Sequence, residues 1–337
     1  MQYTIRHVTR FTYEAPISES VMEVRMQPST DASQRCIRFG LSTTPPSRVK
    51  MYQDHDGNIV HHFNIPGRHS RLTVIAEAFV ECRPPTALPA DLGVDAWVRL
   101  DGETPSGRFW DELHVSPFTE STPLLDAFAD EIALARGDDP LCTVRKIMSD
   151  VHTRFEYSPK STRVDSPIDH ALSARRGVCQ DFSHVMIALV RRLRIPCRYV
   201  SGYIFQEPGT ARSVDGATHA WVEAWLPGLE WVGFDPTHNT IAGERHIRVA
   251  VGRDYADVPP TRGVFKGSSA MRSELAVGVS VGTVPGFGSD TTPFVPWMSR
   301  EASAPLVVTD TVTTQQQQQQ QQSSDGPSGP PPHRTRA

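Results

Sequence analysis

Residues 175–193 read RRGVCQDFSHVMIALVRRL. Phe182, Val185, Met186, Leu189, Val190 and Leu193 recur at the three-and-four spacing that gathers apolar side chains on one face, which predicts an amphipathic helix. Arg191, Arg192 and Arg194 crowd its last turn, where cations suit the negative end of the helix dipole. Pro196 closes it. Cys179 then stands just past Gly177 at the positive end of the helix, where partial charge favours thiolate over thiol. A cysteine so placed is either a nucleophile or a small apolar residue in a core.

A nucleophilic thiol needs a base to hold its proton, and the base needs a group to fix its tautomer. Downstream, residues 217–239 read ATHAWVEAWLPGLEWVGFDPTHN, two β-runs around the turn signal Pro227-Gly228. A hairpin folded about residue 227 sets His219 across from Asp235. Their equal parity sends both side chains to one face, about 4.5–5.5 Å apart. Glu223 shares that strand face but lies roughly 13 Å along it. Asp181, two residues from the thiol, falls in the first helical turn, where the dipole stabilises an acid in any case. His184, one helical turn beyond Cys179, and His238, in the loop after the second strand, are alternative bases without an evident orienting acid. Trp221 and Trp225 share the His219 face, as cleft walls or as core. Cys36, Cys82, Cys142 and Cys197 sit inside strand or helix patterns with no paired His and Asp, and read as inert.

GVCQDFSH (177–184), RYVSGY (198–203), THAWVEAW (218–225) and FDPTH (234–238), in that order, resemble the transglutaminase-like superfamily of papain-type cysteine enzymes. The chain before them resembles the small β-rich domain that precedes the core in bacterial members. The resemblance implies Cys179 as nucleophile, His219 as general base and Asp235 as orienting acid. It also implies acyl transfer through a thioester, with neither a metal nor an organic cofactor. Tyr157, in FEYSP, occupies a place where related sequences carry an aromatic. Hydrolysis of a peptide, isopeptide or side-chain amide is expected ahead of protein crosslinking. The alternatives are a non-catalytic interaction module on the same fold and small-molecule acyl transfer of the arylamine acetyltransferase kind.

The rest of the chain fits an α+β protein. Residues 2–85 have a β texture: YTIRHVTRFTYE alternates with period two, and MEVRMQP, CIRFGLST, NIVHHFNI and LTVIAEAFVEC are further strands. DHDGN (54–58) reads as a hairpin turn, because Ile59 stands where a calcium loop needs glycine. The expected organisation is an N-terminal β-rich domain at 1–86, a linker at 87–118, a transglutaminase-like catalytic domain at 119–267 and a low-complexity, largely disordered tail at 268–337. Within the third, Ser121 or Thr122 caps a helix with Pro123 in its first turn and Gly137 as its stop. PLCTVRKIMSDVHTRFEY is a second helix. After the Cys179 helix come the strands CRYVSGYIF, HAWVEAWL, EWVGFDPT and IRVAVG. The tail carries eight glutamines, Gln315–Gln322.

The 34 basic and 38 acidic residues leave a net charge of −4, which implies neither a nucleic-acid nor a membrane partner. The expected partner is a protein or peptide substrate. Five cysteines at irregular spacings form no disulfide framework. With no signal-like N-terminus and no membrane-length apolar run, the expected compartment is the cytoplasm.

Overall fold

The computed structural model describes residues 1–104, 107–159, 161–206, 218–267 and 273–283. The N-terminal region is built on two long antiparallel strands, β1 (Gln2–Val24) and β4 (Ile59–Cys82), with β2 (Gln34–Thr44) and β3 (Lys50–Gln53) on the far edge of β4. The short runs expected there merge in pairs into these long strands. Register shifts between Thr12 and Glu19 interrupt the β1–β4 pairing around Pro16, and Gly67 takes a positive φ in β4. Asp54–Asn58 is the β3–β4 hairpin turn, as expected. The Asp54 carboxylate organises it, accepting from the backbone N–H groups of Asp56 and Asn58 and the Asn58 amide, and from Arg25 Nε outside the turn.

The stretch read as a linker carries two short helices, α1 (Ala96–Glu103) and α2 (Trp110–Leu113). They pack on the following core through Leu100, Phe109 and Leu113. Helix α3 (Pro123–Glu131) opens on Thr122, whose side chain accepts from Leu125 N, and ends six residues before the expected Gly137. Helix α4 (Pro140–Arg154) opens on Asp139, which accepts from Leu141 N and Cys142 N. Next come β5 (Glu156–Tyr157), α5 (Ile168–Ala174) and β6 (Arg176–Gly177), then α6 (Cys179–Arg192).

Helix α6 is not amphipathic in its setting. Every residue from Gln180 to Arg191 is buried, as for a helix at the centre of a core. Val144, Ile147 and Val151 of α4 share its core. So do Ala220, Val222 and Ala224 of the five-stranded antiparallel sheet. That sheet runs β10 (Thr240–Ile241), β9 (Glu230–Asp235), β8 (Thr218–Leu226), β7 (Cys197–Ile204), β11 (His246–Gly252). Arg191, read as a dipole partner, is a buried hub instead. Its guanidinium donates to the carbonyls of Glu112, Cys197 and Arg253 and to Thr119 Oγ1, tying the α2 region to the sheet.

Two further strands depart from the expected organisation. β12 (Thr261–Lys266) and β13 (Ser273–Thr283) both pair with β1 in the N-terminal sheet. The segment from residue 268, expected to be low-complexity tail, therefore contributes an eleven-residue strand. Its alternating Leu275, Val277, Val279 and Val281 gain β1 as a partner, which their small-residue surroundings concealed. The glutamine run lies outside the described residues. Several contacts join the regions, among them a strand-like pair of hydrogen bonds between Asn58 and Val251, each 2.8 Å, the His7–Tyr203 hydrogen bond and Arg248, which bridges Asp31 and Glu223. Among the described residues no helix is long and apolar enough to cross a membrane.

Candidate active site

Three local devices fix the start of α6. Parallel pairing of β5 with β6 sets Tyr157 beside Gly177. Asp181, in the first helical turn, reaches back to accept from Val178 N at 2.8 Å and from Thr162 Oγ1 at 2.5 Å. Gly177 allows this, since a Cβ there would lie 2.7 Å from the Asp181 side chain. Asp181 thus holds the helix entry and takes no part in orienting a base. Cys179 is the first residue of α6 and half-buried. Its N–H is among the first-turn donors that a helix cannot satisfy internally.

The β8–β9 hairpin folds about Gly228 rather than residue 227: Leu226 pairs with Glu230 and Val222 with Phe234. Gly228 and Glu230 both take positive φ to make this turn. Extended, the register sets Trp221, not His219, across from Asp235. A two-residue offset keeps parity, so His219 and Asp235 are diagonal neighbours on one face, still within side-chain reach. His219 Nε2 lies 2.7 Å from Asp235 Oδ2, and the Cys179 thiol is near enough to the ring to favour its protonated form. With Nε2 committed to Asp235, Nδ1 is the nitrogen left for the thiol. The structure brings Cys179, His219 and Asp235 together in one chain of contacts.

Burial opposes a charged His219, but the Asp235 charge, its hydrogen bond and the thiol outweigh it, raising the imidazole to about 10. Burial likewise opposes a charged Asp235, and the His219 charge with three imidazole hydrogen bonds holds it well below the ordinary carboxylate range. The pair is therefore imidazolium and carboxylate at neutral pH.

Asp235 is fully buried and crowded with donors. Oδ1 accepts from the backbone N–H of Thr237 (2.9 Å) and His238 (3.2 Å). Oδ2 faces His219, His238 Nδ1 at 2.7 Å and His246 Nε2 at 3.1 Å. His238, an alternative base in the sequence, is thus a partner of the acid. His246 was not anticipated at all. His184 is not a base either: its Nε2 accepts from Tyr255 N, and its ring stacks on Phe118. Burial, with Arg191 nearby, lowers it to about 3. Glu223 is held by Arg198 and Arg248, away from His219.

His219, Asp235 and His238 offer metal-ligating atoms within 4.8 Å of one another. Tetrahedral ligands around zinc, at about 2.0–2.2 Å from the ion, would stand about 3.3 Å apart. The 2.7 Å separations here are those of hydrogen bonds, and this cluster does not fit a metal site.

Both tryptophans are buried. Trp221 lies between two flanking glycines: a Cβ at Gly202 would come within 2.6 Å of its ring and one at Gly233 within 3.4 Å. Its ring stacks near His219, with centroids 6.1 Å apart. Trp225 packs on Phe109.

Helices packed on an antiparallel sheet, with a cysteine at a helix start beside a histidine–carboxylate pair, define a papain-type fold. The comparisons agree. A family model described as the transglutaminase-like superfamily matches residues 126–236. Another, described as the bacterial transglutaminase-like N-terminal region, matches residues 3–81. An uncharacterized protein of Mycobacterium leprae is 32% identical over 276 residues, 81% of this chain and 96% of that protein. One of Mycobacterium tuberculosis is 33% identical over 300 residues, 84% of this chain and 93% of that protein. A solved structure from Cytophaga hutchinsonii, described as a candidate cysteine protease, is similar in fold. Its TM-score is 0.62 at 22% identity, covering 88% of this chain and 94% of that one. The chain belongs to the transglutaminase-like superfamily and carries the N-terminal region of its bacterial members.

Proposed function

We propose that the protein is a thiol-dependent acyl-transfer enzyme acting on a peptide, isopeptide or side-chain amide. The observation that carries the reading is the 2.7 Å contact of His219 Nε2 with Asp235, with the Cys179 thiol acting on the same imidazole. In this reading the Cys179 sulfur attacks the amide carbonyl, and the first-turn N–H of α6 stabilises the oxyanion. His219 gives its proton to the leaving amine as the thioester forms, then takes one from the incoming water. Asp235 keeps the imidazole in the productive tautomer. Hydrolysis is the favoured outcome. The protein has no cofactor in this reading. Its five unpaired cysteines suit a reducing compartment and support a cytoplasmic setting.

A second reading, transfer to an amine, is favoured by one relative. A Pseudomonas aeruginosa protein named protein-glutamine gamma-glutamyltransferase is 31% identical over 129 residues, 36% of this chain and 19% of that protein. A library of peptide amides, incubated with the protein with and without added hydroxylamine, separates the outcomes by mass spectrometry. Free acids as the main product support hydrolysis; hydroxamates that outcompete them support transfer. Absence of any product that depends on Cys179 would overturn both and favour a non-catalytic module.

A further inference from the structure

We propose that His246 is a positioning residue: a neutral imidazole, fixed in one tautomer, that donates Nε2–H to Asp235 and holds its Oδ2 in place for His219. The inference rests on the reading of Asp235 as the orienting acid and extends the triad by one residue.

The tautomer follows from the two ends of the ring. Gly243 N–H donates to His246 Nδ1 at 3.2 Å, so Nδ1 carries the lone pair and Nε2 carries the proton. That proton points at Asp235 Oδ2, 3.1 Å away. The ring is fixed on its face as well, edge-on to Trp221 with centroids 5.3 Å apart. His246 N–H returns to Gly243 O at 2.9 Å, closing the turn that presents the ring. Burial lowers the basicity of His246 against the pull of Asp235 and keeps it neutral. The titratable groups facing it are Asp235 from β9, His219 from β8 and His238 from the loop after β9. Arg245, its chain neighbour, turns away to Phe205 O.

A carboxylate offers about four lone-pair sites, and five donors converge on this one. The carboxylate cannot rotate, because both oxygens are held from several sides, and Oδ2 keeps its bearing on His219 Nε2.

The test compares two variants of the full chain. His246→Gln keeps an N–H donor near Nε2 but cannot titrate; His246→Leu removes the donor. The first readout is the nitrogen-15 spectrum of histidine-labelled wild type at pH 7, which distinguishes imidazole tautomers. The second is the rate of Cys179 alkylation by iodoacetamide, with Asp235→Asn as control and folding checked by circular dichroism. The expected spectrum shows His246 as the neutral Nε2–H form. The Leu variant should alkylate about tenfold more slowly than wild type, and the Gln variant within about twofold of it. His246 as an imidazolium or as the Nδ1–H tautomer would overturn the inference. So would a folded Leu variant at the wild-type rate, or a Gln variant as slow as Leu. If Asp235→Asn slows alkylation while His246→Leu does not, only this inference fails; if neither does, the triad reading falls with it.

Discussion

Asp235→Asn perturbs the centre of the site while changing one atom. The carboxylate receives five donors, three imidazoles on Oδ2 and two backbone N–H groups on Oδ1. An asparagine has one acceptor oxygen and one NH₂. With the oxygen toward the histidines, the NH₂ faces the amides of Thr237 and His238. With it reversed, the NH₂ faces three ring nitrogens. Either way at least two buried donors lose a partner, at about 1–3 kcal/mol each, so a stability loss of about 2–6 kcal/mol is expected. The effect on the site is larger. Without the carboxylate, burial of His219 is opposed by the Cys179 thiol and no longer by Asp235, which favours a neutral imidazole free to take either tautomer. A comparable swap in a serine triad costs about ten-thousand-fold in turnover, and a loss of at least about a hundredfold is expected here. Cys179 alkylation and amide turnover are measured at a urea-free temperature where circular dichroism reports full folding. Glu223→Gln, at a carboxylate held by Arg198 and Arg248, serves as the control. A folded Asp235→Asn protein at near wild-type rates, or a Glu223→Gln protein that loses as much, would refute the assignment.

Three further outcomes are expected. Cys179 should be the thiol alkylated first: burial raises Cys36 to about 11, Cys82 to about 12 and Cys197 to about 11, and an Asp139 hydrogen bond leads in raising Cys142 to about 11. Peptide mapping after brief iodoacetamide treatment that finds any of those four modified ahead of Cys179 contradicts this. Acid should destabilise the fold, because burial holds His7 at about 4 and His184 at about 3. Below pH 6.5 the unfolded chain binds protons these two refuse, so each costs about 1.4 kcal/mol per pH unit down to its folded value. Urea titrations should lose about 3 kcal/mol between pH 6.5 and 5 from this pair, since the unfolded imidazoles are only half protonated at the upper end, and a flat stability over that range would refute it. Asn58→Ala removes both hydrogen bonds to Val251 and should cost about 2–4 kcal/mol, read as a lower urea midpoint; a change below about 0.5 kcal/mol would show that this contact does not hold the regions together.

The elements that carry the site were legible because their periodicity is local. Six apolar positions drew α6, and the two runs around Pro227-Gly228 drew β8 and β9. The register was misplaced by two because Glu230, a non-glycine residue, takes the left-handed conformation that lets the turn close on Gly228. The His219–Asp235 pairing survived because an even offset leaves every side chain on its face. Arg191 looked like a dipole partner, and only tertiary packing reveals the carbonyls it collects. His246 carried one faint signal, a histidine at the head of a strand just after Gly243. Its role depends on a ring crossing to Asp235, which no spacing rule encodes. The pairing of β13 with β1 joins residues some 270 apart, beyond any local pattern, although the alternation from Leu275 to Val281 was there to read.

The most direct test of the thioester reading is a burst experiment with p-nitrophenyl acetate, an activated ester that needs no knowledge of the natural substrate. The triad predicts a fast release of about one nitrophenolate per chain, followed by slower turnover. Acid-quenched protein should then carry a single acetyl group, mapped to Cys179, with the burst absent in Cys179→Ala and slowed in Asp235→Asn. Acetyl groups on other residues, or a burst that survives Cys179→Ala, would contradict it.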